Sequence, residues 1–255
     1  VNRAAKSLDY TMIVLAVVFG AGSIGLLAAA GTRTFIRLNM SDSAVLLWDA
    51  VLSFAFFLQH SGMVRRSFRA RLAAAVAPRY QGAAYAIASG TVLTLVVVLW
   101  QRSQTQLLVL HGALLWTART CSFLAVVVLV WYARAVRSID LLGLGPIRAH
   151  LQGRPERAPS FVVRGPYRWV RHPLYFCVLV LIWSNPSLTA DRLLFNVLWT
   201  AWIWIGTVLE EADLVADFGD AYREYRRRVP MLIPWRGPTA LHFVQAADDS
   251  APPAA

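Results

Sequence analysis

Charge is scarce in this chain. Only 15% of its 255 residues are Asp, Glu, Lys or Arg, against about 25% in an average soluble domain. Apolar residues make up 57% and the mean hydropathy is +0.50, which excludes an ordinary water-soluble globule. Cysteine is scarcer still. Cys121 and Cys177 are too few and too far apart for a Cys-based zinc motif, and both fall inside apolar runs, where they read as small packing residues. No metal site is expected.

What charge there is leans one way, with 25 basic residues against 14 acidic and a net charge of +11. Anionic lipid headgroups account for that excess, so no nucleic-acid partner is needed. A membrane crossing takes about 20 apolar residues. Six runs qualify as spans: Tyr10–Ala30, Val45–Gln59, Ala83–Trp100, Leu107–Trp131, Leu174–Ser184 and Leu193–Leu209. The second and fifth are short, and the fifth reads equally as a broken or re-entrant helix, which leaves five spans open as well as six. Tyr10–Ala30 exceeds the apolar core of about 7–15 residues in a secretory signal and is expected to be retained.

The basic residues orient these spans. With six spans and the N-terminus inside, twenty of the twenty-five fall on inner segments: Arg3 and Lys6, then Arg65 to Arg79, Arg134 to Arg171, and Arg223 to Arg236. Arg33, Arg37, Arg102 and Arg192 lie outside, and Arg119 lies within a span. Positive residues collect on the cytoplasmic side, so both ends are expected in the cytoplasm.

Gly20–Gly31 is rich in small residues that let helices approach closely. Asp49 and Arg119 are ionisable groups inside spans. Such groups face a bundle interior, as structural pairs or as part of a pocket. The second span ends in Q-H-S-G-M-V-R-R, with His60 at the helix end, and Arg65–Tyr80 reads as a basic surface helix. The short turn Gln101–Gln106 makes the third and fourth spans antiparallel neighbours. His111 then faces the opposite side from His60, so the two are not expected to share a metal.

Tyr132–Pro173 is the longest non-apolar stretch, and a loop of that length in a compact protein is functional or disordered. Its end, Arg164–Tyr175 (R-G-P-Y-R-W-V-R-H-P-L-Y), carries the highest density of ring and guanidinium side chains. Pro173 suits a first helical turn. That puts His172 at the N-cap, where unpaired N–H groups and positive potential favour a carboxylate. The last span emerges through Glu210 and Glu211, either as a boundary marker or as carboxylates for a cationic ligand. An amphipathic segment follows, with Leu214, Phe218, Tyr222 and Tyr225 at helical spacing, Gly219 breaking or bending it and Pro230 and Pro234 stopping it. The Ala/Pro-rich end, Gly237–Ala255, is expected to be disordered.

Three motifs in this order, G-P-Y-R-W-V-R-H-P-L-Y, E-E-A-D-L and F-G-D-A-Y-R-E-Y-R-R-R-V-P-M-L-I-P, resemble the C-terminal signature of the isoprenylcysteine carboxyl methyltransferase-like membrane enzymes. With Q-H-S-G-M-V-R, the chain is similar to the subgroup holding bacterial methanethiol S-methyltransferases and a denitrification-associated, NnrU-like family. The resemblance implies an all-α polytopic membrane bundle with a cytoplasmic C-terminal amphipathic helix. It divides the chain into a four-helix membrane region (1–131), a methyltransferase-like region (132–235) and a tail (236–255). It implies S-adenosyl-L-methionine, with Tyr167, Arg171, His172, Pro173, Tyr175, Glu210 and Glu211 about the cofactor and Arg171 and Glu210 as the catalytic pair. Gln152 and Val162 fall near cofactor-touching positions. His60 and Arg65 are candidates for the substrate side. The prenylcysteine enzymes carry an arginine one turn before the glutamate, where this chain has Gly206. That departure favours a small thiol or lipophilic acceptor over a prenylcysteine carboxylate. A thiol must reach its thiolate, from a free pKa of about 8.5, and the arginine-rich mouth (Arg65, Arg168, Arg171) favours the anion. Similarity also leaves open a haem protein with His60 and His111 as ligands, and a nicotinamide-dependent sterol-type reductase.

Overall fold

In the computed structural model, which describes residues 3–30, 33–135, 140–155, 160–240 and 244–246, local chemistry sets where the helices begin and end. Helix α1 (Arg3–Leu15) passes through a π-helical segment, Ala16–Ala21, into α2 (Gly22–Ala30). α3 (Asp42–Val64) starts at Ser41, whose hydroxyl accepts from the Ala44 amide at 3.4 Å, satisfying one of the amides a helix start leaves free. It stops at Arg65, where an extended backbone (φ −61°, ψ 139°) turns the chain into α4 (Arg66–Ala75). α5 (Pro78–Leu99) opens on proline, whose missing N–H costs nothing there. The remaining elements are β1 (Gln106–Val109), α6 (Gly112–Ala135), α7 (Gly145–Leu151), β2 (Ser160–Val162), a 3-10 turn (Gly165–Arg168), α8 (Pro173–Trp183), β3 (Ser187–Thr189), α9 (Ala190–Arg228) and β4 (Val244–Ala246).

Five helices among the described residues are long and apolar enough to cross a membrane: Ala5–Leu27, Asp42–Val64, Pro78–Leu99, Gly112–Arg134 and Ala190–Arg228. The chain is an all-α polytopic membrane bundle. Five such helices, with the shorter α8 beside them, stay within the expected five or six spans, but two of the expected spans change their bounds. Leu107 lies in β1, so the fourth span starts only at Gly112. α8 has 11 residues, about 16 Å of helix, and cannot alone cross about 30 Å of hydrocarbon. Its flanks lengthen it. The Tyr167 and Tyr132 hydroxyls lie 3.3 Å apart near the end of α6, and the Leu110 amide donates to the Pro186 carbonyl (2.8 Å) just before α6 begins. The chain from Tyr167 to Pro186 therefore runs back along the whole of α6.

Contacts divide the chain into two units. The first comprises Val1–Leu107, Asp140–Glu156 and Thr189–Leu198. Its core joins Ala16, Tyr80, Ala83, Ala86, Leu144 and Ile147. Gly143 (φ +65°) touches Gly82 so closely that a Cβ on either would sit under 3 Å from the other's backbone. This contact seats α7 against α5. Asp140 caps α7, accepting from the Leu144 amide at 2.8 Å and from the Gly145 amide. Residues expected as loop thus form a helix packed in this unit. The other end of the unit is tied by three aspartates. Asp49 accepts from the Gln101 amide (3.0 Å), Asp42 from the Gln104 amide and the Ser103 hydroxyl (2.9 and 2.7 Å), and Asp191 from the Ser103 amide (3.1 Å). Asp49 is held through one oxygen only; its other oxygen is buried without a hydrogen-bond partner among the described residues.

The second unit comprises Leu108–Ile139, Arg157–Leu188 and Trp199–Ala255. α6 packs against α8, and Arg119 lies over the Trp116 ring on an exposed face of α6. Phe161, Val163, Tyr222, Tyr225 and Val229 form its core. Gly219 (φ 55°, ψ −130°) kinks α9 as its position predicts, so the last span and the amphipathic segment are one 39-residue helix with a bend. Part of the tail has structure: the Thr239 amide donates to the Arg168 carbonyl at 2.9 Å, and β4 pairs antiparallel with β2, Phe161 opposite Gln245. Residues 241–243 and 247–255 of the expected disordered tail lie outside the described residues.

Candidate functional site

The second unit gathers most of the predicted site at the start of α8. Pro173 is the first residue of α8 and is buried, and His172 occupies the N-cap position as the proline predicts. Its imidazole does not cap the helix. It turns to α9, with Nε2 3.2 Å from Glu211 Oε1 and Nδ1 3.8 Å from Glu210 Oε2, and stacks on the Tyr175 ring at 5.6 Å and 13°. The backbone here is held from outside the helix: Arg171 N donates to Pro230 O (2.9 Å) and His172 N to Met231 O (3.1 Å). Pro230 and Met231, just past the end of α9, thus lie beside the stretch that starts α8.

Arg171 is almost wholly used by the protein. Its Nε and Nη2 hold Glu211 at 2.5 and 3.1 Å, while Nη1 donates to the carbonyls of Arg226 (2.9 Å) and Val229 (2.5 Å). A guanidinium has five N–H groups, and four are spent here. Arg171 therefore clamps α8 to α9 and caps the α9 C-terminus, where a cation is favoured.

The two glutamates divide. Glu211 is buried among Arg171, His172 and Arg226, with Arg226 Nε 3.2 Å from its second oxygen. Glu210 has a side chain 45% exposed, and the Tyr175 hydroxyl donates to it at 3.3 Å. One carboxylate is neutralised by its neighbours and the other stays open. Adjacent residues on a helix point about 100° apart, so the split follows once Glu211 faces α8.

Tyrosines form the neighbouring wall. The Tyr225 hydroxyl donates to the Tyr167 carbonyl at 2.7 Å, and the Tyr132 and Tyr167 rings lie 5.9 Å apart. Burial pushes the Tyr167 phenol above its ordinary value, so it is a neutral hydroxyl at any physiological pH. Gly206, one turn before Glu210, has nothing within 4 Å of where a Cβ would stand. The position that carries an arginine in the prenylcysteine enzymes is open here.

Tyr132, Tyr225, Arg226 and the carbonyls of Val229–Met231 were not singled out from sequence. Tyr225 was legible only as one member of an apolar stripe, and backbone acceptors leave no mark in a sequence. Val162 lies in β2 of the second unit. His60, Arg65 and Gln152 belong to the first unit. There the His60 ring meets the Tyr85 hydroxyl at 2.8 Å and packs on Phe56 at 5.1 Å, while Gln152 is exposed at the end of α7. His111 is exposed. Among the described residues no group of three His, Cys, Asp or Glu side chains is placed to hold a metal.

The arrangement offers an open carboxylate, a phenol donor, a stacked imidazole and aromatic faces. Such a set receives a cation with an apolar body, through charge and through the ring faces. Helices and site together define an integral membrane protein with a cluster of carboxylates, imidazole and phenols where α8 meets α9. The profile of the NnrU protein family matches residues 48–208, and the chain belongs to that family. The methanethiol S-methyltransferase of Pseudomonas sp. (strain GM41(2012)) is 33% identical over 226 residues, covering 85% of this chain and 84% of its own. That of Mycobacterium tuberculosis is 30% identical over 239 residues, covering 89% and 93%. Methanethiol S-methyltransferase 1 of Bradyrhizobium diazoefficiens is 33% identical over 199 residues, covering 78% and 70%. No solved structure matches the chain.

Proposed function

We propose that this chain is a membrane methyltransferase that uses S-adenosyl-L-methionine to methylate the sulfur of a small thiol at the cytoplasmic face. The observation that carries this reading is the split of the glutamate pair: Glu211 is consumed by Arg171, His172 and Arg226, while Glu210 stays open beside Tyr175. The relatives named as methanethiol S-methyltransferases supply the acceptor class.

The residues present fit the donor. Glu210 would take its ammonium group, with Tyr175 and His172 flanking, and Tyr167 and Tyr132 would supply ring faces and neutral hydroxyls near the sulfonium. When bound, the donor supplies a methyl carbon on a positive sulfur whose departure as a neutral thioether needs no protonation. The chain's task is then alignment of the acceptor sulfur with that carbon and exclusion of water. Arg171 acts on the reaction through the geometry of α8 and α9. The space at Gly206 suits an acceptor without a carboxylate.

Calorimetry on the detergent-solubilised chain tests the reading. Binding of S-adenosylhomocysteine that is lost in Glu210→Gln supports it. No heat from either the donor or its demethylated product, in a folded sample, overturns it.

A further inference from the structure

We propose that α4 is a binding site for anionic phospholipid, with Arg65 and Arg69 gripping one phosphate headgroup and Phe68 and Leu72 lying along the acyl chain. The inference rests on the first unit alone and is independent of methyl transfer.

Position comes first. α3 and α5 are both long enough to cross a membrane, and α4 with its two short flanks is all that joins them. A segment joining two consecutive crossings lies at a membrane surface. The extended backbone at Arg65 takes α4 off the line of α3.

Charge comes second. The sequence contains no Asp or Glu between residues 50 and 139. Arg65, Arg69 and Arg71 make no ion pair with any described residue, and Arg69 and Arg71 are exposed. Guanidinium groups clustered without acids, at a lipid surface, call for an external anion. Their planar forks match phosphate oxygens two at a time.

Shape decides which anion. Phe68 and Leu72 are four apart and so share a face of α4. Phe68 is 37% exposed. Arg65 and Arg69, also four apart, lie along one flank of that face, and Arg71 lies along the other. The Arg69 amide donates to the Arg65 carbonyl at 2.9 Å, which closes the first turn of α4 and sets the two arginines one helical turn apart. A face with an apolar centre and cationic edges fits a molecule with an anionic head and an apolar tail. Free phosphate would use the edges and leave the centre idle.

The test is native mass spectrometry of the full chain in detergent, titrated with phosphatidylglycerol or phosphatidylcholine. The wild type is expected to retain phosphatidylglycerol preferentially. Replacing both Arg65→Gln and Arg69→Gln should weaken that adduct about 30-fold, at roughly tenfold per 1.4 kcal/mol and about 1 kcal/mol per basic residue, with phosphatidylcholine unaffected. Arg65→Lys with Arg69→Lys keeps the charges and should lose only a few-fold, which reads the fork even if the Gln pair folds poorly. Arg134→Gln, in the second unit, should change nothing. Equal retention of both lipids, an unchanged adduct in the Gln pair, or displacement by millimolar inorganic phosphate would each overturn the proposal.

Discussion

Arg171 and Glu211 form a two-point ion pair, Nε to Oε1 at 2.5 Å and Nη2 to Oε2 at 3.1 Å, with side chains 9% and 4% exposed. The pair bridges the residue before the α8 N-cap and the middle of α9, and the same guanidinium caps the end of α9. Breaking a buried pair from one side leaves a charge without a partner, which costs about 3–5 kcal/mol. Arg171→Ala should therefore lower the melting temperature of the purified chain steeply. Arg171→Lys should recover only part of the loss, because an ammonium cannot make the fork. A melting curve unchanged in Arg171→Ala would show that the pair does not hold the helices.

Glu210 and Glu211 should behave oppositely, although they are adjacent. Glu210→Gln removes a half-exposed charge and should shift stability by no more than about 0.5 kcal/mol. It should weaken binding of the donor or its product by roughly 10- to 150-fold, the usual worth of a hydrogen bond to a charged group. Glu211→Gln should destabilise the fold first, and any loss of affinity should follow the loss of structure. Paired calorimetry and thermal melts separate the two.

Tyr225→Phe deletes one hydroxyl, which donates to the Tyr167 carbonyl at 2.7 Å. That carbonyl belongs to the turn leading into Arg171 and His172. The expected cost is about 1 kcal/mol of stability, with a larger relative loss of product affinity because the turn carrying Tyr167 loosens. Equal affinity in the variant would detach this bond from the site.

Tyr167 gives an alkaline signature. Its phenol is raised by burial, so the folded chain keeps the proton after the unfolded chain has lost it near pH 10. The stabilising contribution is complete below that pH and is lost as pH rises past it. Tyr167→Phe should reduce the slope of stability against pH above 10 by about 1.4 kcal/mol per pH unit, one proton's worth. An unchanged slope in denaturant melts would contradict the burial of this phenol.

The parts of the fold that were legible are those written in side-chain pattern. Hydropathy finds the long helices because their lipid-facing turns are predominantly apolar. Pro173 and Gly219 mark their breaks by backbone chemistry alone. The extension of α3 from Gln59 to Val64 was hidden, because Gln59 and His60 look like an end until their partners on α5, Ser89 and Tyr85, are known. α7 was hidden because its stability comes from Asp140 and from the contact of Gly143 with Gly82, neither of which produces a periodic pattern. In the site, His172, Tyr175 and Glu210 could be named from their types and order. The clamp role of Arg171 could not, since its partners include two backbone carbonyls some 55 residues further on.

The most direct test is transfer of a labelled methyl group from S-adenosyl-L-methionine to methanethiol by the purified, membrane-reconstituted chain. The wild type should yield labelled dimethyl sulfide, and Glu210→Gln should lose most of the rate at limiting donor while keeping its melting temperature. A folded wild-type chain that binds the donor yet methylates no thiol, or a Glu210→Gln variant with undiminished rate at limiting donor, would contradict the account.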